Sequence, residues 1–153
     1  MGRTDRASLL IHADHTTVFA ALTDPDALLA WLPPQGMHGR FEQFDLRPGG
    51  SYRLALTYED AAGSPGKTSV DTDVMDVRIT QVVQDECLVQ EVVFAADDPA
   101  FQGVMQMEWN VRCVDDGTEV ELVAKNVPRG IRAHEHAEGM TSSLANLAAF
   151  LAR

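Results

Sequence analysis

From Gly39 to Lys125 apolar and polar residues alternate with a period of two, and on either side of that stretch the period is helical. Tyr52, Leu54, Leu56 and Tyr58 fall on one face of an extended chain, with Arg53, Ala55, Thr57 and Glu59 on the other. Val74–Val83, Cys87–Phe94, Gly103–Val114 and Thr118–Lys125 read as further strands, separated by "QDE" and "AADDPAFQ". Pro48-Gly49-Gly50 inside "FDLRPGGSYR" and "DDG" at 115–117 are hairpin signals, since their glycines supply backbone angles that bulkier residues resist. "DAAGSPG" reads as a polar loop. Consecutive strands joined by short turns predict an antiparallel meander.

Helical signals flank this meander. After a short first strand, Ala7–Ala13, the segment "DHTTVFAAL" starts with Asp14 as an N-cap and carries Val18, Phe19 and Leu22 as its apolar stripe. "TDPDALLAWL" repeats the device: Thr23 or Asp24 caps, Pro25 opens the turn, Leu28, Trp31 and Leu32 follow, and Pro33-Pro34 stops it. Beyond Val127-Pro128-Arg129-Gly130, the residues His136, Met140, Leu144, Leu147 and Leu151 stand four, four, three and four apart. That spacing predicts one long helix from near Ile131 to the C-terminus. The expected fold is α+β: six or seven antiparallel strands, two short helices after the first strand, and a long C-terminal helix covering one sheet face.

The chain has 153 residues and no internal repeat or low-complexity linker, so residues 1–153 are expected to form a single domain. A net charge of −11 argues against nucleic acid or an anionic membrane as the main partner. Cys87 and Cys113 sit in apolar runs without metal or redox spacing and are expected to be free buried thiols. "MGRTDRASLL" lacks a signal-peptide core, and no run approaches the roughly 18 apolar residues of a membrane span, so a cytoplasmic location is expected. Monomer and homodimer both remain open.

Candidate chemistry is sparse. Asp45, Arg47 and Arg53 alternate with the inward residues and should face outward in ion pairs. His134 and His136 stand about 200° apart around a helix, so they do not share one ion from one face, and no metal or cofactor is expected. His134 and Glu138 are spaced for an exposed pair. His136 falls on the apolar stripe, as a partly buried histidine with a satisfied hydrogen bond or as a polar contact at a cavity mouth. There is no G-x-S-x-G elbow, no cysteine in a basic setting, and no glycine-rich loop opening a helix. Met105, Met107 and Trp109 alternate along one strand, Trp31 closes the second helix, and Met37 and His38 follow in a loop. Core packing accounts for most such positions, yet adaptable methionines beside aromatic rings also suit a small apolar ligand with a few polar anchors.

"VFAALTDPDALLAWL", "FDLRPGGSYR", "QVVQDECLV" and "HAEGMTSSLANLAAFL" together resemble, in order and spacing, the START-like (SRPBCC) superfamily, and within it the branch named after the activator of heat-shock-protein-90 ATPase. The resemblance implies a helix-grip fold, a curved sheet around the C-terminal helix, with an interior that holds an apolar ligand. The face bearing Phe44, Leu46, Tyr52, Leu54, Leu56 and Tyr58 should then point inward. Gly139-Met140 stands where the branch usually carries Gly-Trp, which suggests a roomier interior near that helix. The leading reading is a binding protein for a small apolar or amphipathic ligand, lined by Trp31, Met37, His38, Tyr52, Leu54, Tyr58, Met107, Trp109, His136 and Met140, with no catalytic residue assigned. The resemblance leaves two alternatives. One is a cyclase- or hydrolase-like enzyme, in which His136, Glu42 and the tyrosines would supply acid–base groups. The other is a co-chaperone-like module that uses the outer sheet face.

Overall fold

The computed structural model describes residues 2–33, 36–58, 72–94 and 99–152. In chain order the elements are β1 (Arg3–Ile11), α1 (His15–Thr23), α2 (Pro25–Trp31), β2 (Met37–Phe44), β3 (Ser51–Tyr58), β4 (Thr72–Val83), β5 (Cys87–Phe94), β6 (Met105–Val114), β7 (Gly117–Val127) and α3 (Ala133–Leu151). A 3₁₀ turn at Pro99–Phe101 joins β5 to β6. The "DAAGSPG" loop and the first four residues of "AADDPAFQ" lie outside the described residues.

Seven strands form one antiparallel sheet in the order β1-β7-β6-β5-β4-β3-β2, with β1 and β2 at its edges. The α+β helix-grip arrangement read from the sequence is therefore present. At the first hairpin Gly49 has φ 86°, and a side chain on Gly50 would place its Cβ 2.2 Å from the Asp45 carbonyl oxygen. The positive φ favours glycine at 49, and only glycine fits at 50. The tip is tied across to β4, since Gly49 N–H donates to the Ile79 carbonyl and Ile79 N–H to the Gly50 carbonyl, each at 2.9 Å.

Several boundaries differ from expectation. Strand β1 begins at Arg3 rather than Ala7, and its alternation continues through charged residues that pair with one another. Residues 103 and 104 precede β6, and α3 starts at Ala133 with Arg132 as its N-cap. Asp14 is the N-cap of α1 by backbone geometry alone, whereas the Asp24 carboxylate accepts the Ala27 N–H at 2.9 Å. Both cysteines are free, but Cys87 is half-buried and Cys113 exposed. The expectation of two buried thiols fails because Cys113 sits at the end of β6 beside the Asp115–Asp116 turn.

The core lies on the inner face. Met140, Leu144 and Leu147 on α3 are buried, and that helix packs against β1. Val18, Phe19, Leu22, Leu28 and Trp31 bring the α1–α2 pair into the same apolar cluster. Two helical covers therefore share one sheet, and the site lies beneath the shorter one.

Candidate ligand cavity

Strands β3 to β6 present Tyr52, Met75, Val77, Leu88, Gln90 and Val92 on the inner face, with Met105, Met107 and Trp109 beside them. Leu22, Leu28, Trp31 and Leu32 close over them from the helix pair, and a cavity of about 100 Å³ remains between the layers.

Its roof is held by one indole. Trp31 ends α2 and is 2% exposed. Its Nε1–H donates to the Ala21 carbonyl of α1 at 2.9 Å, locking the two helices together. The same ring meets Trp109 edge to face, centroids 5.6 Å apart and planes at 81°, so roof and floor touch through their aromatic rings.

Its polar end is a buried pair. Tyr52 on β3 is registered to Val77 on β4, and Val77 to Val92 on β5, two residues beyond Gln90. The two long side chains span β4, and the Gln90 Nε2–H donates to the Tyr52 hydroxyl at 3.3 Å. Burial pushes the Tyr52 phenol up to about 12, and the hydrogen bond from Gln90 offsets part of that rise. The phenol thus stays neutral and able to donate. Behind it, Phe44 stacks on the Tyr52 ring at 5.5 Å and Phe41 meets it edge to face at 5.1 Å, fixing its orientation.

The sequence matches the family described as Activator of Hsp90 ATPase homolog 1-like protein over residues 12–152. The chain belongs to that family. Its fold is close to that of a Chromobacterium violaceum protein, 27% identical over 95% of this chain and 94% of that one, with a TM-score of 0.82. The AHSA1-like protein of Aeromonas hydrophila shares 15% identity over 97% of this chain and 92% of that one, with a TM-score of 0.76. A protein of the dynemicin biosynthetic locus aligns 97% of this chain to 46% of its own, at 19% identity and a TM-score of 0.70. The last two likenesses concern the fold alone. No curated protein matches the chain.

Of the residues chosen from sequence, Trp31, Tyr52, Met107 and Trp109 converge on the cavity. Leu54 is buried in the adjacent core, Met37 is half-buried against it, and His38 is exposed on edge strand β2; among the described residues none of the three lines the cavity. The Tyr58 side chain lies outside the described residues. His136 and Met140 do not join the cavity lining described here, contrary to the expected convergence. They sit on α3, which packs on β1 at the far side of the sheet. His136 Nδ1 there lies 2.7 Å from the Asp5 carboxylate.

Arg3 holds Asp5 from the other side, its Nε–H donating at 3.0 Å, while its terminal nitrogen donates to the Ile131 carbonyl at 2.6 Å. Burial alone would raise the Asp5 carboxyl, but hydrogen bonds from Arg3 and His136, with their charge, hold it below the usual range. This cluster latches α3 to β1 through mutually paired groups. The predicted outward ion pairs are present as Arg53–Asp76 at 2.7 Å and Arg47–Asp45 at 3.0 Å. Glu42 is exposed and pairs with Arg40 at 3.1 Å.

Sequence reasoning passed over Gln90 and Met75. The signal for Gln90 was available: in "CLVQEVVF" a carboxamide stands at an inward position between Leu88 and Val92. What the sequence lacked was the partner, which lies two strands away.

Proposed function

We propose that residues 1–153 act as one domain that binds a small, compact apolar or amphipathic molecule in the cavity between the α1–α2 pair and the sheet. The observation that carries this is the buried Tyr52–Gln90 pair opening into an otherwise apolar, methionine- and tryptophan-lined space. Apolar walls supply affinity and a few placed polar groups supply orientation, which is the usual design of small-molecule sites. Volume limits the occupant. An engineered cavity of about 150 Å³ holds benzene, so a cavity of about 100 Å³ suits a single ring once the methionines adjust.

Binding is favoured over catalysis by the polar groups at hand: a phenol kept neutral and a carboxamide, which can orient a ligand but supply no base near neutrality. A cytoplasmic setting is part of this proposal, and among the described residues no helix is long and apolar enough to cross a membrane.

Both tryptophans of the chain line the cavity, so their indole N–H resonances in NMR report its occupancy. Toluene should shift both resonances saturably. Val92→Phe, which fills the cavity, should abolish the shifts while the variant stays folded. Met140→Trp, on α3, should leave them intact. Linear, unsaturable shifts in the wild type would overturn the reading.

A further inference from the structure

We infer that the cavity selects a neutral one-ring aromatic carrying a hydroxyl group, a phenol-class molecule, over the matching hydrocarbon and over anions. This rests on the ligand-binding reading above and narrows it. Gln90 is 5% exposed, and its amide nitrogen donates to the Tyr52 hydroxyl. Its carbonyl oxygen meets no donor among the described residues, and the Tyr52 O–H meets no acceptor among them. Trp109, also 5% exposed, has an indole N–H without an acceptor among the described residues. The unpartnered Gln90 carbonyl oxygen and Trp109 indole nitrogen are not sealed off, unlike His15 Nδ1.

Polar groups this deeply buried ordinarily have partners, so the unmet capacity describes what is missing. Rotating the Gln90 amide by half a turn changes which atom faces Tyr52, but the pair still offers both a donor and an acceptor. A hydroxyl complements that pair, since it donates and accepts at one atom. A hydrocarbon would leave the groups desolvated and unpaired. An anion would find no cationic side chain among the described lining residues to offset its desolvation. A ring, in turn, suits walls built from Trp31, Trp109 and the thioethers of Met75, Met105 and Met107. A water held at the pair would be displaced by a group that repeats its hydrogen bonds.

The test compares p-cresol, toluene and p-toluate, which share a methyl-substituted ring, by the same indole resonances. In the wild type p-cresol should bind about tenfold more tightly than toluene, a difference of about 1.4 kcal/mol, and p-toluate should not bind measurably. Gln90→Met, similar in length but without the carboxamide, should remove the preference for p-cresol and keep toluene binding. Equal affinities for p-cresol and toluene in the wild type would overturn this inference while leaving a ligand cavity in place. So would p-toluate binding as tightly as p-cresol, or a preference unchanged in Gln90→Met. If neither toluene nor p-cresol shifts the indoles, the binding reading itself falls and takes this one with it. The wild-type comparison decides even if the variant fails to fold.

Discussion

The two ends of the sheet solve the same problem differently. At the β1 end, the 19-residue helix α3 lays Met140, Leu144 and Leu147 against the inner face, and its polar contacts close on themselves through Arg3, Asp5, His136 and the Ile131 carbonyl. At the β3–β6 end the cover is two helices of nine and seven residues, joined by the Trp31 indole. There the packing stops short by about 100 Å³, and the Tyr52–Gln90 pair keeps unused hydrogen-bonding capacity. A continuous apolar stripe on a long helix tracks a sheet and fills the space beneath it. The two short helices leave a space over the sheet, lined in part by Met75, Met105 and Met107. One end closes on itself, and the other keeps an unfilled space.

The contrast should break most visibly under truncation. Leu147→Ala removes a side chain with no exposure from the closed end and should lose about 2–5 kcal/mol. Met75→Ala, beside the existing cavity, should lose less than about 2 kcal/mol, because its neighbours already border open space. Equal shifts in urea midpoint would show that the two ends pack alike.

Alkali probes the open end. The Tyr52 phenol titrates near 12 in the folded protein and near 10 when unfolded, so folding favours its neutral form. That contribution is fully present below pH 10 and should be lost as pH rises toward 12, by about 3 kcal/mol. Denaturation at a series of pH values should show the decline, and Tyr52→Phe should flatten it. A decline unchanged in the variant would place Tyr52 in contact with bulk water.

Acid probes the closed end with the opposite sign. Asp5 is depressed in the folded state, so its contribution is present above the ordinary carboxylate range and lost as pH falls through the lower folded value. Asp5→Asn should lose about 1–3 kcal/mol at neutral pH, since it weakens the pairing of Arg3 and His136, and should blunt the acid limb of the stability profile. An unchanged acid limb would mean that the latch contributes nothing. The smallest effect is expected outside both ends: Arg53→Ala breaks an exposed pair with Asp76 and should stay within about 0.5 kcal/mol.

Much of this molecule is local and therefore legible along the chain. Alternation marked the strands, Pro25 and the spacing of Leu144 and Leu147 marked the helices, and Gly49-Gly50 marked a tight turn. The outward placement of Arg53 and the inward placement of Tyr52 and Trp109 followed from period two alone. The site was only half legible. Periodicity assigns a side chain to a face, but it does not say which helix comes to lie over that face. His136 and Met140 lie on the inward stripe of α3 as expected, yet the helix carries them to β1, several strands from Tyr52. Gln90 showed the reverse, an unremarkable polar residue until a seven-stranded register brought its amide to a tyrosine two strands away. Faces are set by neighbours in sequence, through backbone geometry; cavities are set by how elements distant in sequence fail to fill the space between them, and that belongs to the tertiary structure.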